Sequence, residues 1–463
     1  MKRISILSIL VASSHIFLFA NEKPKITIIG TGYVGLVTGT CLAEVGNLVL
    51  CADINTSKIN GLLQGIMPIY ENGLDPLVKK LSLSESLSFT SDVPAAITQA
   101  DIIFIAVDTP MSESGAADLS ALRRVIGSIA ENINHYTVIV TKSTVPVGTS
   151  FWIRDLLKRE YNIPSDMFDV VSNPEFLREG SAVHDFLHPD RIVIGTDSDT
   201  ARLYMTTVYQ SFIAANVPIV WTNITTAESI KYASNAFLAL KISFINEMAN
   251  FCDAVGADIQ DIAYAMGLDK RISPRFLNPG PGFGGSCFPK DSAALLYMAH
   301  QNHLSFFTIE AAINANALQK HKPVEKLLKI IDNLADKTIA VLGLAFKANT
   351  DDVRYSPAIT IIEDLIEQGA QVQVYDPIAM KNMQLIFPNI TYCTTIDEAV
   401  SHADAAIIAT EWNKFKRMDL AHIGQLMNSR IIIDARNILD KQALQNNNFI
   451  FDYIGRSCLQ HDH

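Results

Sequence analysis

The chain has 463 residues, 37 basic and 48 acidic side chains, a formal net charge of -11, 49% hydrophobic residues and 18% charged ones. This composition excludes a disordered chain and allows two to four cored domains at roughly 100–200 residues each. The acidic balance repels polynucleotide phosphates, so no nucleic-acid partner is expected, and an anionic small substrate would need a locally basic pocket. The six cysteines (Cys41, Cys51, Cys252, Cys287, Cys393 and Cys458) form no C-x-x-C pair and no zinc spacing. No metal is expected, and all but Cys287 read as small buried apolar side chains or inert thiols.

Lys2 and Arg3 precede an apolar run, Ile4 to Ala20, broken by Ser13, Ser14 and His15. Residues 1–24 therefore resemble a secretory signal and are short for a membrane span. Leu18, three positions before a cut after Ala20, fits the small-x-small rule poorly. The favoured reading is an over-extended start, with the folded chain beginning near Lys25. A cytoplasmic location is expected, because the dinucleotide inferred below is cytosolic. No other apolar stretch suggests a span, so no membrane partner is expected.

In chain order, Ile26–Ile29, Leu48–Ala52, Ile102–Val107, Thr137–Thr141, Val170–Ser172 and Ile192–Ile194 read as buried strands. Helical patterns alternate with them, the signature of a parallel sheet with crossover helices. From Thr225 to about Val255 the pattern is one long helix, with Thr225, Thr226 and Glu228 as its expected cap and Gly256 as its stop. The Gly/Pro-rich stretch from Asn278 to Cys287 breaks regular structure. A helix follows from about Pro289 to His300. A second α/β unit has strand Thr338–Leu342, helix Ala358–Gln368 and strands Gln371–Tyr375, Ala405–Ala409 and Ile431–Asp434. The expected class is α/β, with two Rossmann-like doubly wound domains joined by a long central helix. The expected divisions are 25–215, 216–322 and 323–463.

The first strand runs into Gly30-Thr-Gly32-Tyr-Val-Gly35. Gly30 permits the tight turn, Gly32 the approach of a pyrophosphate, and Gly35 close packing of helix on strand. Asp53, 23 positions after Gly30, ends the second strand, where a carboxylate accepts from the adenosine ribose. Ile54 and Asn55 follow, with no arginine for a 2′-phosphate, so the cofactor reads as NAD⁺. Lys58 is a further candidate, or a solvated helix residue. Asp108-Thr109-Pro110 and Ser143-Thr144-Val145-Pro146 follow strands where ligands bind in this architecture. They read equally as ordinary turns.

Cys287 lies just before Pro289, a favoured first helical residue, so its thiol sits near a helix N-terminus, which favours thiolate. Asp291 in the same turn is placed to position a water, or serves only the helix dipole. Lys231 and Asn235 share one helix face and suit oxyanion stabilisation, or read as a solvated lysine and a packing asparagine. Glu175 and Glu179, at the exit of a strand, are candidates for acid/base work or a surface pair. A simple alcohol dehydrogenase needs no nucleophilic thiol. Cys287 therefore decides between two- and four-electron oxidation.

Five segments carry a family resemblance: GTGYVGL at Gly30, STVPVGT at Ser143, NPEFLREGSAVHDFLHPDRIVIG at Asn173, FLNPGPGFGGSCFPKD at Phe276 and GLAFKANTDDVRYSP at Gly343. From about Ile26 to Arg436 the chain resembles the UDP-glucose/GDP-mannose dehydrogenase family. The resemblance implies NAD⁺-dependent four-electron oxidation of UDP-glucose to UDP-glucuronate. GDP-mannose or UDP-N-acetyl-mannosamine are the alternative substrates, and a catalytically silent nucleotide-sugar-binding protein is the alternative from another class. It implies an NAD⁺-binding domain, a central dimer-forming segment that makes a homodimer, and a C-terminal UDP-sugar-binding domain. It assigns Cys287 as nucleophile; Lys231, Asn235 and Asp291 to the oxyanion and water; and Glu175, Glu179 and Thr144 to acid/base work and water positioning. Cofactor contacts are implied at Tyr33, Val34, Thr109, Thr144, Lys290 and Lys347, besides the glycines, Asp53 and Lys58. Substrate contacts are implied at Glu175, Phe176, Leu177, Glu179, Lys231, Asn235, Phe276, Leu277, Asn278, Gly280, Gly284, Phe346, Lys347 and Arg436. Arg271 is implied to reach the neighbouring subunit's site. Lys231, Arg271, Lys290, Lys347 and Arg436 would supply the positive charge that a diphosphate needs.

Overall fold

The computed structural model describes residues 23–456. The segment 1–22 and Cys458 lie outside the described residues. The chain divides into two compact units between Ala233 and Ser234.

The sheet of the first unit has eight strands: β1 (Lys25–Ile29), β2 (Leu48–Ala52), β3 (Leu87–Thr90), β4 (Ile102–Ile105), β5 (Thr137–Thr141), β6 (Phe168–Ser172), β7 (Ile192–Gly195) and β8 (Ile219–Thr222). Their order is β3-β2-β1-β4-β5-β6-β7-β8. β1 to β6 are parallel. β7 meets β6 antiparallel, through Ser172 and Gly195, and β8 runs parallel to β7. Ile26, Ile28, Ile102 and Phe104 face one apolar layer; Ile29, Ile103, Ile105 and Ile139 face the other. A sheet covered on both faces reads as continuous apolar runs, so these strands are plain in the sequence. The strand expected over Ile102–Val107 ends at Ile105, whose carbonyl takes both the Lys142 and Ser143 amides. The edge strands β3 and β8 are only partly buried and make no such run.

The sheet of the second unit contains β9 (Thr338–Leu342), β10 (Gln371–Tyr375), β11 (Thr391–Tyr392), β12 (Ala405–Ile408), β13 (Ile431–Asp434) and β14 (Ile450–Tyr453). The order β11-β10-β9-β12-β13-β14 repeats that of β3-β2-β1-β4-β5-β6. The first turn repeats as well. Gly30 and Gly343 both have φ of 100°. Each donates its amide, at 2.8 Å, to the last carbonyl of the neighbouring strand, Ala52 or Tyr375.

The residues after β2 and β10 differ. Asp376, just past β10, is buried and accepts from the amides of Leu344, Ala345, Ile378 and Ala379 and from the Trp412 indole. With its acceptor sites engaged inward, it offers nothing to a ribose. The next helix begins only at Pro357, so no helix N-terminus follows the turn.

The long helix spans Ile224–Val255. The cap expected from Thr225, Thr226 and Glu228 is supplied instead by Asn223, whose Oδ1 accepts the Thr226 amide at 2.8 Å. Glu228 is engaged elsewhere, as described below. Gly256, with φ of 73°, ends the helix as expected.

Lys326 is buried in the second unit, 2.7 Å from Asp253 Oδ2 and 2.9 Å from Asp452 Oδ2. It ties the helix Lys322–Leu328 to the long helix and to β14. Lys326→Met removes the buried cation that both carboxylates hold. It should lower the thermal midpoint and cost about 3–5 kcal/mol in denaturant unfolding. A loss within error would show that the triad contributes nothing to stability.

Candidate active site

The three fingerprint glycines occupy the places that their roles require. A Cβ on Gly30 would stand 2.5 Å from the Ala106 carbonyl oxygen, and one on Gly35 1.9 Å from the Gly30 carbonyl oxygen. Gly32 caps the helix Tyr33–Glu44 with no side-chain bond, and a Cβ there would meet nothing within 4 Å. The helix N-terminus is therefore open, which suits a pyrophosphate. Tyr33 and Val34 form its half-buried first turn.

Asp53 accepts the Thr31 amide and hydroxyl, each at 2.8 Å, and the Asn55 amide at 2.9 Å; Lys58 Nζ stands 3.3 Å away. Burial raises its pKa, but these donors and the Lys58 charge outweigh that, and the carboxyl lies below its usual range. It is thus an ionised acceptor at the end of β2. The residues present fit a dinucleotide. Thr109 and Thr144 also come together, with the Thr109 hydroxyl donating to the Thr144 carbonyl at 2.8 Å.

After β6, Glu175 and Lys231 form a buried ion pair at 2.7 Å. Glu175 also accepts the Leu177 amide. Burial raises the Glu175 pKa, but the Lys231 charge and hydrogen bond, the Leu177 amide and Lys142 together bring it below the usual carboxylate range. The Phe176 ring centre lies 3.5 Å from the Arg191 guanidinium and 5.5 Å from Lys231 Nζ. Glu179 is half-buried in the same loop.

Three buried residues hold this region through contacts that sequence reasoning did not anticipate, Glu228 having been read only as part of a helix cap. Glu228 accepts the Gly148 amide at 2.6 Å, the Ser150 amide at 2.9 Å and the Ser150 hydroxyl at 2.7 Å, fixing the segment after Thr144 to the long helix. Glu71 accepts the Gly180 and Ala182 amides at 2.7 and 2.9 Å, beside Glu179. Lys142 donates to Asn173 at 3.1 Å. Local sequence signals none of the three, because each partner lies at least 31 positions away.

In the second unit, the helix of Cys287 spans Phe288–Gln301, one residue earlier than expected, with Cys287 itself at the cap. The thiol is half-buried, and the Ser286 hydroxyl stands 3.7 Å from its sulfur. Cys41, Cys51, Cys252 and Cys393 are buried, as expected of inert thiols. Burial pushes the Cys41 and Cys51 thiols up to about 12. Asp291, 1% exposed, accepts from Asn235 Nδ2 at 2.6 Å and from Lys290 Nζ at 2.7 Å. Lys231 and Asn235 lie one turn apart on the long helix.

The glycine-rich segment meets the loops after β9 and β13. Gly280 packs on Arg436, and Gly284 on Phe346 and the Tyr355 carbonyl. Arg436 donates to the carbonyls of Ala409 and Phe346 at 2.8 and 2.9 Å. Lys347 Nζ stands 5.4 Å from the Phe346 ring centre. Phe276 has φ of 65° and Asn278 is exposed. The Leu277 side chain belongs to an apolar core with Ile245, Ala249 and Ile454. Arg271 is exposed and paired with Asp269 at 2.6 Å.

A doubly wound sheet with a complete dinucleotide turn, followed by a second sheet whose matching turn is closed, defines a dinucleotide-binding protein. The sequence matches three domains of the UDP-glucose/GDP-mannose dehydrogenase family: NAD binding over 24–213, central over 225–318 and UDP binding over 340–441. The chain belongs to this family and is an NAD-dependent oxidoreductase. It is 48% identical over 437 residues to a UDP-glucose 6-dehydrogenase of Bacillus subtilis, covering 94% of each chain. A UDP-glucose dehydrogenase structure from Pyrobaculum islandicum matches with TM-score 0.87 and 35% identity, over 95% of this chain and 98% of that one. A UDP-D-ManNAc dehydrogenase structure from Pyrococcus horikoshii matches with TM-score 0.83 and 30% identity, over 93% and 99%.

The glycine geometry separates two effects. Gly32→Ala should leave the thermal midpoint unchanged and weaken NAD⁺ binding by about tenfold or more, because the methyl enters only the ligand's space. Gly35→Ala should also destabilise the fold, because its methyl meets backbone. Calorimetric NAD⁺ titration together with thermal unfolding checks both. Unimpaired NAD⁺ binding by Gly32→Ala would place the cofactor elsewhere.

Proposed function

We propose that the chain oxidises C6 of UDP-glucose from primary alcohol to carboxylate, through a thiohemiacetal and a thioester on Cys287. The observation that carries this reading is a half-buried thiol capping a helix whose first turn holds the buried Asp291 carboxylate. A thiol at a helix N-terminus favours the thiolate, the form that adds to an aldehyde. Bound NAD⁺ would accept one hydride in each oxidation. One alcohol, one water and two NAD⁺ give one carboxylate, two NADH and three protons.

In this reading Lys231 and Asn235 stabilise the alkoxide and the tetrahedral oxyanion. Asp291, held by Asn235 and Lys290, orients the water that releases the acid. Glu175, Glu179 and Thr144 handle protons and water. Phe276 to Gly280, Gly284, Phe346, Lys347 and Arg436 receive the nucleotide sugar, within the division 25–215, 216–322 and 323–463 expected from sequence. The greater identity to the Bacillus enzyme than to the ManNAc dehydrogenase, 48% against 30%, supports glucose as the sugar.

The reading includes a cytoplasmic homodimer. Phe237, Phe244 and Phe251 recur every seventh residue on the long helix and are 61%, 44% and 57% exposed. Such an apolar stripe suits a second copy of the chain. Arg271, exposed outside it, would serve the neighbour's substrate site. Among the described residues no helix is long and apolar enough to cross a membrane.

Two NADH should be released per UDP-glucose consumed, measured by absorbance against product. Turnover only with a mannose-derived nucleotide sugar would overturn the substrate assignment. Cys287→Ser should bind NAD⁺ and UDP-glucose normally and lose net oxidation by on the order of 10³-fold or more. Near-normal turnover by that variant would rule out the covalent route.

A further inference from the structure

Residues 279–285 are buried and form neither helix nor strand, so their backbone polar groups need partners from outside the segment. Side-chain amides supply them at two points. Asn246 Oδ1, from the long helix, accepts the Gly280 amide at 2.8 Å. Gln319 Nε2 donates to the Gly280 carbonyl at 2.8 Å, and Gln319 Oε1 accepts Asn250 Nδ2 at 2.9 Å. Asn316 takes both groups of Phe283: its Oδ1 accepts the amide at 2.7 Å and its Nδ2 donates to the carbonyl at 3.1 Å. Asn316 thus answers the chain as a neighbouring strand would. Asn316 and Gln319 are buried and lie three apart on the helix Phe307–Gln319, on one face.

Asn316 reaches Phe283 because residue 282 is glycine. Gly282 has φ of 102°, and a Cβ there would stand 2.8 Å from Asn316 Oδ1. The Phe283 ring in turn meets Phe288 edge-on, at 90° with 5.9 Å between ring centres. Phe276 also meets Phe288, at 6.1 Å. Phe288 is the first residue of the helix that Cys287 caps.

Resting on the reading of Cys287 as the nucleophile, we propose that Asn316 is a positioning residue for the Cys287 thiol: by fixing the Phe283 backbone it sets the ring against which Phe288, next to the thiol, is seated. Gly282 then serves Asn316 rather than a ligand. A misplacement of about 1 Å at a reacting atom is enough to cost about 100-fold in rate.

The two oxidations differ in what they ask of the thiol. Hydride transfer between the C6 alcohol and the aldehyde does not involve it. Oxidation of the aldehyde needs the sulfur to add first. A displaced thiol therefore slows the second step and spares the first, whereas a general loss of packing slows both.

The test gives the full-length chain the C6 aldehyde of whichever nucleotide sugar the wild type oxidises. With NAD⁺ and water the aldehyde goes to the carboxylate and NADH forms. With NADH and a proton it returns to the alcohol and NAD⁺ forms. Absorbance reads both directions. Asn316→Leu should lower kcat for aldehyde oxidation by about 10- to 100-fold and leave aldehyde reduction within about threefold of wild type. Unchanged oxidation, or equal losses in both directions, would overturn the proposal. Cys287→Ser, run alongside, should show the same split with a larger loss. Aldehyde oxidation at the wild-type rate in Cys287→Ser would defeat the nucleophile reading, and the proposal with it. A loss in Cys287→Ser with none in Asn316→Leu defeats the proposal alone. If Asn316→Leu does not fold, Gly282→Ala, which drives a methyl against Asn316 Oδ1, carries the same expectation and is refuted by the same results.

Discussion

Buried charge has to be answered, and in this chain two carboxylates set that demand. Glu175 is 6% exposed and Asp291 1%. Leaving either unpaired would cost several kcal/mol, so each has drawn a partner from the same long helix. Lys231 answers Glu175 and Asn235 answers Asp291, one helical turn apart. The helix that carries both partners runs uninterrupted from Ile224 to Val255, with no glycine or proline. The clamps on the neighbouring loops serve the same end. Glu228 on the first turns of the helix holds the segment after Thr144, and Glu71 holds the backbone beside Glu179.

The two sheets show how one topology is turned to different uses. Both place a left-handed glycine after the first strand and an aspartate after the second. In the first unit the glycine opens directly into a helix, and Asp53 remains an ionised acceptor at the end of its strand. In the second, Asp376 is spent on four amides and an indole, and the helix is displaced to Pro357. The two turns therefore differ in two respects: a helix opens directly after the first and not after the second, and Asp376 is buried where Asp53 is only half-buried. The second unit presents instead a glycine-rich segment against Phe346 and Arg436.

What the sequence made legible follows the range of each interaction. Strands buried on both faces are apolar runs, and Ile102–Ile105, Thr137–Thr141 and Ile431–Asp434 stand out without help. The glycine turn and the proline after Cys287 are local signals, and both locate their helices to within a residue. Legibility fails at edges and at a distance. β3 and β8 are half-exposed, and β11 has two residues. The helix cap was expected inside the helix, at Thr225 and Thr226, but Asn223 supplies it from just before. Lys142, Glu71 and Glu228 act on partners tens to more than a hundred positions away, and only the folded chain brings them together. The Leu277 side chain joins a core with Ile245, Ala249 and Ile454, three segments that no local signal brings together.

The claim on which the account stands is covalent: an acyl group is carried on one sulfur between the two oxidations. Rapid acid quenching during a single turnover with UDP-glucose and NAD⁺, followed by peptide mass analysis, tests it directly. The account predicts a transient adduct of the nucleotide-sugar acyl group on the peptide containing Cys287, rising after the first NADH and gone when the acid is released. Full-rate appearance of the acid with that cysteine unmodified at every time point would contradict it.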